Sequence, residues 1–344
     1  DEDEREEKKL MCVEDDGISV DEVLEEYGKG FGRWTKCLWC TTGVCWIFHT
    51  FNVLSQVFLT LGLNDILGTS LSSLELSLVG SITFLGWAIG TMGGGVISDM
   101  YGRRLVLLCS IGSAILFDFL ALAMIDYYYV VAMRFLLGAS TGMINATSFM
   151  IIAEAVDPPN RDYYLTLWHA WFSVGGVLIA LIGIIVYSFY DQDSGTGMEI
   201  VLATVPVLGV CAFLIALFFI PETARFLLVS GRPTEARAAL DKLVYGNTGE
   251  HLPEYVTLTQ PKMVEGGNRG SLRMVFFPTP EEDCLVEPSF KWNLLKQWVI
   301  WFACSFIFYY ATLASSGSEN ASIALLISCG VEFPAAFLGM PLNG

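Results

Sequence analysis

The decapeptide Gly-Val-Ile-Ser-Asp-Met-Tyr-Gly-Arg-Arg occupies residues 95–104 and separates two long apolar segments. It brings a carboxylate (Asp99), a glycine suited to a turn (Gly102) and two arginines (Arg103 and Arg104) to the point where these segments meet. Because charged side chains are costly inside a bilayer, the stretch predicts a connection at a membrane surface. The chain is therefore expected to be an all-α polytopic membrane protein.

The composition favours the same class. Of the 344 residues, 53% are hydrophobic and only 16% are charged, and the mean hydropathy is +0.54. Such a chain has more apolar side chains than a water-soluble core would hide, so most of it is expected to face lipid. The formal net charge of −17 argues against nucleic acid as a partner.

No signature of catalysis is found in the sequence. It contains no glycine-rich phosphate loop followed by lysine, no paired metal-ligand spacing and no nucleophile motif. The nine cysteines are scattered, and the one close pair, Cys37 and Cys40, has no second pair or histidine partner. We expect neither an enzyme nor a cofactor or metal site.

Eight apolar segments have the roughly 20 residues that a helix needs to cross a bilayer. They are residues 37–60, 76–98, 105–124, 128–153, 163–188, 199–220, 293–315 and 321–340. All Lys and Arg residues except Arg134 lie in the amino-terminal tail or on alternate connections, counting Lys296 at the start of the seventh segment with the connection before it, and the remaining connections carry none. Since basic residues accumulate on the cytosolic side, the amino terminus is predicted to be cytosolic.

These boundaries predict four regions. Residues 1–36 form an acidic cytosolic tail, in which the capping-box spacing of Ser19 and Glu22 predicts a short amphipathic helix along the membrane surface. Residues 37–220 form a transmembrane bundle of six helices. Residues 221–292 form a cytosolic linker that contains a helix, and residues 293–344 add two further spans.

Four motifs follow one another along this plan. They are Gly95-x-x-x-Asp99-x-x-Gly102-Arg103-Arg104, then Arg134-Phe135-Leu136-Leu137-Gly138, then Glu154 with Arg161, and finally Pro221-Glu222-Thr223-Ala224-Arg225-Phe226-Leu227-Leu228. In this order they resemble the motifs of the major facilitator superfamily, over about residues 17–344. Three segments are most similar to the synaptic-vesicle-related branch and its organic-ion and sugar transporter cousins: Val20–Trp34, Pro221–Arg225 and Glu332-Phe333-Pro334.

The resemblance implies the fold of that superfamily, with a complete amino-terminal six-helix bundle and two helices of the carboxy-terminal bundle, truncated after span 8. It implies a secondary active transporter that moves a small organic solute, an organic ion or a sugar-like metabolite, by alternating access and with possible proton coupling. The expected location is the plasma membrane or an intracellular vesicle membrane. The alternative is a transport-inactive membrane protein of vesicles that uses the fold for interaction.

Alternating access needs a latch that closes in one state and opens in the other. We predict a cytoplasmic gate of charged and turn residues: Asp99, Gly102, Arg103, Arg104, Glu154, Arg161, Glu222 and Arg225. The competing interpretation is that the arginines serve only the positive-inside bias. Topology alone, however, requires neither Asp99 nor Gly102.

Asp118 and Arg134 are charged residues inside predicted spans 3 and 4. Asp118 precedes the tight connection between spans 3 and 4 by about as many residues as Arg134 follows it, so at about 1.5 Å per residue they lie at similar depth. We predict an intramembrane pair with a structural role, with a backbone carbonyl as the alternative partner of Arg134.

Polar and aromatic residues near mid-depth predict a solvated cavity for substrate and protons, because lipid-facing positions disfavour them. The set is His49, Asn52, Gln56, Asn145, His169, Trp171, Tyr309, Tyr310 and Glu332. Taken singly, a residue of this kind more often makes a hydrogen bond between helices than a contact with a ligand. His49 and Glu332 are the candidates for proton coupling. Relatives often carry acids in span 1, where this chain has His49 and Asn52, so the substrate's charge stays open.

Overall fold

The computed structural model describes residues 17–259, 290–315 and 320–338. Within these ranges the regular structure is helical, apart from one isolated bridge between Ile18 and Leu258. Six helical segments are long and apolar enough to cross a membrane. They are α2 (Arg33–Leu67), α3 (Ser73–Tyr101), α4 (Arg103–Ala121), α5 (Tyr127–Ala155), the pair α6 (Arg161–Trp168) and α7 (Ala170–Val186), and α8 (Gly195–Phe219). Further helices precede and follow them: α1 (Val20–Glu26), α9 (Ala224–Val229), α10 (Pro233–Thr248), α11 (Phe290–Ser315) and α12 (Ala321–Leu338).

The prediction of six spans before residue 221 is confirmed. The fifth departs from the expected continuous helix, since α6 ends at Trp168 and α7 begins at Ala170. Predicted spans 7 and 8 coincide with α11 and α12.

Local sequence fixes where the helices begin. Ser72 and Glu75 form a capping box at the start of α3, and the Asp126 carboxylate accepts from the Tyr129 amide at 2.8 Å at the start of α5. Each of these acceptors satisfies an amide of the first turn that has no partner within the helix. Gly68 ends α2 with a φ of 61°, a left-handed conformation that glycine adopts without strain.

Glycines bring α3 and α5 together. A Cβ added to Gly86 or Gly90 would collide with the backbone of Phe135 or Ala139, and one added to Gly142 would collide with the Trp87 carbonyl. Small residues spaced by four positions let two helix backbones approach closely, which is how helices in lipid gain packing energy. These glycines therefore set the close approach of α3 to α5.

We call the end of the bundle that carries Gly102, Glu154 and Arg161 the charged end. There a small helical subdomain, residues 17–31 and 224–259, packs around its own core. Val23 and Leu24 of α1 are buried against α9 and α10. The expectation that this helix lies along the membrane surface is therefore wrong, because its apolar face is already covered by protein.

Candidate functional site

Arg103 lies at the centre of the charged end. Its side chain is 11% exposed, and its Nη2 lies 2.9 Å from Asp99 Oδ1 and 3.1 Å from Glu154 Oε1. Its Nη1 also donates to the Ser98 carbonyl at 3.1 Å. One guanidinium group thus joins the last turn of α3, the first turn of α4 and the end of α5. Such charge-assisted bonds are the strong ones, and partial burial strengthens them further.

Glu222 binds the same helix from the other side. Its carboxylate accepts from the Arg103 amide at 2.9 Å and from the Arg104 amide at 3.3 Å, so it caps the start of α4. An acid at a helix amino terminus is favoured by the free amides and by the helix dipole. The Arg104 side chain reaches the Leu217 carbonyl of α8 at 2.9 Å. Residues after span 6 are thereby tied to the connection between spans 2 and 3.

Gly102 makes this arrangement possible. Its φ of 100° and ψ of 151° belong to a region that is essentially restricted to glycine. A Cβ at this position would also meet the Glu222 carboxylate and the Phe226 ring. The glycine of the motif is required both by the backbone turn and by the close approach of Glu222.

Arg161 and Arg225 belong to a second cluster. Both donate to Oδ1 of Asp21 in α1, Arg161 at 2.5 Å. Partial burial raises the pKa of Asp21, but the hydrogen bonds and charges of the two guanidinium groups outweigh it and bring the pKa below its ordinary value of 3.8. Sequence reasoning missed Asp21. The available signal was the capping box, which places this residue in the first turn of a helix.

The eight predicted gate residues therefore lie at one end of the bundle but in two neighbouring clusters. Asp99, Arg103, Glu154 and Glu222 meet around the start of α4, whereas Arg161 and Arg225 meet at Asp21. Glu154 pairs with Arg103 instead of with Arg161. Glu154 Oε2 has no hydrogen-bond partner among the described residues.

Asp118 and Arg134 are both buried in the bundle, at 8% and 3% exposure. Each is within electrostatic influence of the other, but no ion-pair contact within 4.0 Å joins them in the part of the chain that the structure describes. Arg134 Nη1 instead donates to Ser55 Oγ of α2 at 3.3 Å. The two charges thus form a loose buried cluster with α2, and their pairing stays a prediction.

His49, Asn52 and Gln56 follow one another along one face of α2 and are at most 2% exposed. The imidazole of His49 stacks on Trp46 with ring centroids 4.6 Å apart. Oδ1 of Asn52 and both polar atoms of the Gln56 amide lack hydrogen-bond partners among the described residues. The imidazole of His49 has the Thr141 backbone beside it but forms no hydrogen bond of regular geometry. Buried polar atoms without partners are uncommon in folded proteins, which sets this face apart from the apolar helix surfaces around it.

The other cavity candidates are dispersed. Asn145 is half-buried in α5, His169 lies at the break between α6 and α7, and Trp171 packs on Trp39 with centroids 5.1 Å apart. The side chains of Tyr309, Tyr310 and Glu332 lie outside the described residues. Among the described residues, no group of three or more His, Cys, Asp or Glu is placed to hold a metal ion.

The helical bundle and its charged end define a transporter fold of the major facilitator superfamily. The chain superposes on the proton:xylose symporter XylE bound to 6-bromo-6-deoxy-D-glucose with a TM-score of 0.56 at 17% identity, over 62% of this chain and 50% of the other. It superposes on the partially occluded inward-open XylE of E. coli with a TM-score of 0.55 at 18% identity, over 62% and 54%. Because the sequence identities are this low, the structural similarity establishes the fold alone.

The chain belongs to the sugar (and other) transporter family, whose model matches residues 40–315. It is 26% identical over 321 residues to the synaptic vesicle 2-related protein of Rattus norvegicus, over 93% of this chain and 54% of that protein. It is 29% identical over 268 residues to human solute carrier family 22 member 16, over 75% and 41%. The chain thus spans about half the length of these relatives. The matched family is one of transporters, which confirms that the chain is not from an enzyme family.

Proposed function

We propose that the protein takes part in secondary active transport of a small organic solute, such as an organic ion or a sugar-like metabolite, by alternating access. Family membership supports this class of activity. The main structural support for the proposal is the cluster around Arg103, where a single buried guanidinium group connects three helix ends. A contact of this kind is strong when closed and is lost completely when the helix ends separate, as a gate requires.

The transport proposal is tested by reconstitution. The protein in liposomes is offered a panel of radiolabelled organic cations, nicotinate-like acids and sugars, and uptake is compared with empty liposomes. Saturable uptake of at least one solute supports transport. If none is taken up although the protein is folded and inserted, the transport-inactive alternative takes its place.

The gate comprises Asp99, Arg103, Glu154 and Glu222 around the Gly102 turn, with Arg104, Arg161 and Arg225 beside it. In the closed state Arg103 neutralises both Asp99 and Glu154. Asp99→Asn removes one of these charges and is expected to change both the transport rate and the accessibility of the charged end. If both stay unchanged, the gate proposal is wrong.

We place the solute and proton pathway beside the face of α2 that carries His49, Asn52 and Gln56. Its unpartnered buried polar atoms support this, and XylE offers a proton:xylose symporter as a precedent with the same fold. His49, together with Glu332, is the group proposed to exchange protons. Uptake that is equal with and without a pH gradient would remove proton coupling while leaving transport itself intact.

The proposed location is the plasma membrane or a vesicle membrane, with the amino terminus in the cytosol. The distribution of basic residues supports the orientation. The likeness to a synaptic vesicle 2-related protein supports a vesicle membrane. Protease protection of residues 17–31 in intact vesicles tests the orientation directly.

A further inference from the structure

Asp21 connects two arginines that are distant in sequence. Arg161 begins α6, and Arg225 lies in α9, yet both donate to the same carboxylate oxygen. The Nε atoms of both arginines lack partners among the described residues, and Asp21 provides their only ion pairs there. Without this carboxylate, two positive charges would face each other at close range with no acid between them.

These arginines lie on both sides of the gate. Arg225 is three residues from Glu222, which caps α4, and Arg161 follows the end of α5, which carries Glu154. If Arg161 and Arg225 moved apart, the end of α5 that carries Glu154 would therefore move away from the segment that carries Glu222. The state of Asp21 is thereby coupled mechanically to the contacts of Arg103.

Asp21 is held in place by contacts that do not involve its charge. The chain just before α1 pairs with residues 257–259 through Ile18, with bonds of 2.9 and 3.1 Å. Val23 and Leu24 are buried in the subdomain core. The Asn247 amide accepts from the Trp34 and Thr35 amides at 3.0 Å and so ties α10 to the start of α2. Asp21 therefore belongs to a helix, α1, that is packed into the core of the subdomain.

We propose that Asp21 is a positioning residue of the gate, which keeps the gate closed by neutralising Arg161 and Arg225 together. When the carboxylate is absent, repulsion between the two guanidinium groups separates the ends of α5 and α8 and loosens the cluster at Arg103. Because the three side chains are partly exposed, the repulsion is weakened by salt. This proposal rests on the gate proposed above.

The test measures exposure of a thiol behind the gate. Ser98 is fully buried and its carbonyl holds Arg103, so Ser98→Cys provides a conservative reporter. Labelling of this thiol by N-ethylmaleimide is followed by peptide mass spectrometry on the purified full chain in detergent. Because mass spectrometry identifies each labelled peptide separately, the native cysteines do not have to be replaced.

Asp21→Asn in the reporter background is expected to increase the labelling rate several-fold at low salt and less at high salt. Glu25→Gln, an exposed acid of the same helix, is the matched control and should leave the rate unchanged. Asp21→Glu keeps the charge and should preserve most of the closed state. Amide hydrogen exchange of residues 18–27 reports separately whether α1 stays docked.

The decisive variant combines Asp21→Asn with Arg161→Gln. It removes the repulsion, so labelling should return towards the wild-type rate, whereas loss of helix docking would not be repaired by a second substitution. The proposal is overturned if the double variant labels as fast as Asp21→Asn, or if Asp21→Asn labels like wild type while Arg103→Gln labels fast. If Arg103→Gln is also unchanged, the gate itself is refuted.

Discussion

Gly102 is the residue on which the geometry of the charged end depends most. Gly102→Ala forces a side chain into a backbone region that costs about 1–3 kcal/mol, and its Cβ would displace the Glu222 carboxylate. We expect a clear drop in the melting temperature of the purified protein. Gly231→Ala is the control, since Gly231 has a φ of 75° but nothing within 4 Å of an added Cβ. An equal drop in the two variants would show that contact with Glu222 is unimportant.

Asp118 and Arg134 provide the second test at the level of single residues. Arg134→Gln removes the positive charge nearby in the bundle from the buried Asp118 carboxylate, and a buried charge without compensation is destabilising. We expect low yields of folded protein, measured by size-exclusion chromatography with fluorescence detection. Asp118→Asn combined with Arg134→Gln removes both charges and should recover much of the yield. Equal yields of the single and the double variant would mean that the two charges do not compensate each other.

At the level of elements, the approach of α3 to α5 is set by glycines. Gly90→Ala would push a methyl group against the Ala139 carbonyl, and overpacking of this kind costs about 1–3 kcal/mol. Gly93→Ala lies in the same helix but meets nothing within 4 Å, so it should be neutral or slightly stabilising. Thermal melting of the two variants in one detergent separates these outcomes. A Gly93→Ala protein that melts as early as Gly90→Ala would contradict the packing role.

The spans and the gate motif were predictable from the sequence because each depends on local signals. Apolar length gives a helix across the bilayer, and Asp99, Gly102 and Arg103 lie within a few residues of one another. The pairing of Asp21 with Arg161 and Arg225 was not predictable, since it joins segments that lie 140 and 204 residues apart. Nor was the docking of α1, because an amphipathic helix suits a membrane surface and a protein surface equally well.

At the scale of the whole molecule, charge and strain are concentrated at one end. Arg103, Gly102 and the helical subdomain all lie at the charged end, where α3 meets α4. The interior carries the polar face of α2, which the gate would connect with solvent. With the proposed gate, the charged end would close off a polar interior, the division that alternating access requires.

The most direct measurement combines labelling of the Ser98→Cys thiol and solute uptake in the same proteoliposomes. Arg103→Gln is compared with Lys242→Gln, whose ammonium group packs over the Trp34 ring and forms no ion pair with Asp99, Glu154 or Glu222 among the described residues. If the cluster is a gate, Arg103→Gln raises the labelling rate several-fold and lowers uptake, while the Lys242 variant changes neither. Unchanged labelling and unchanged uptake in Arg103→Gln would contradict it.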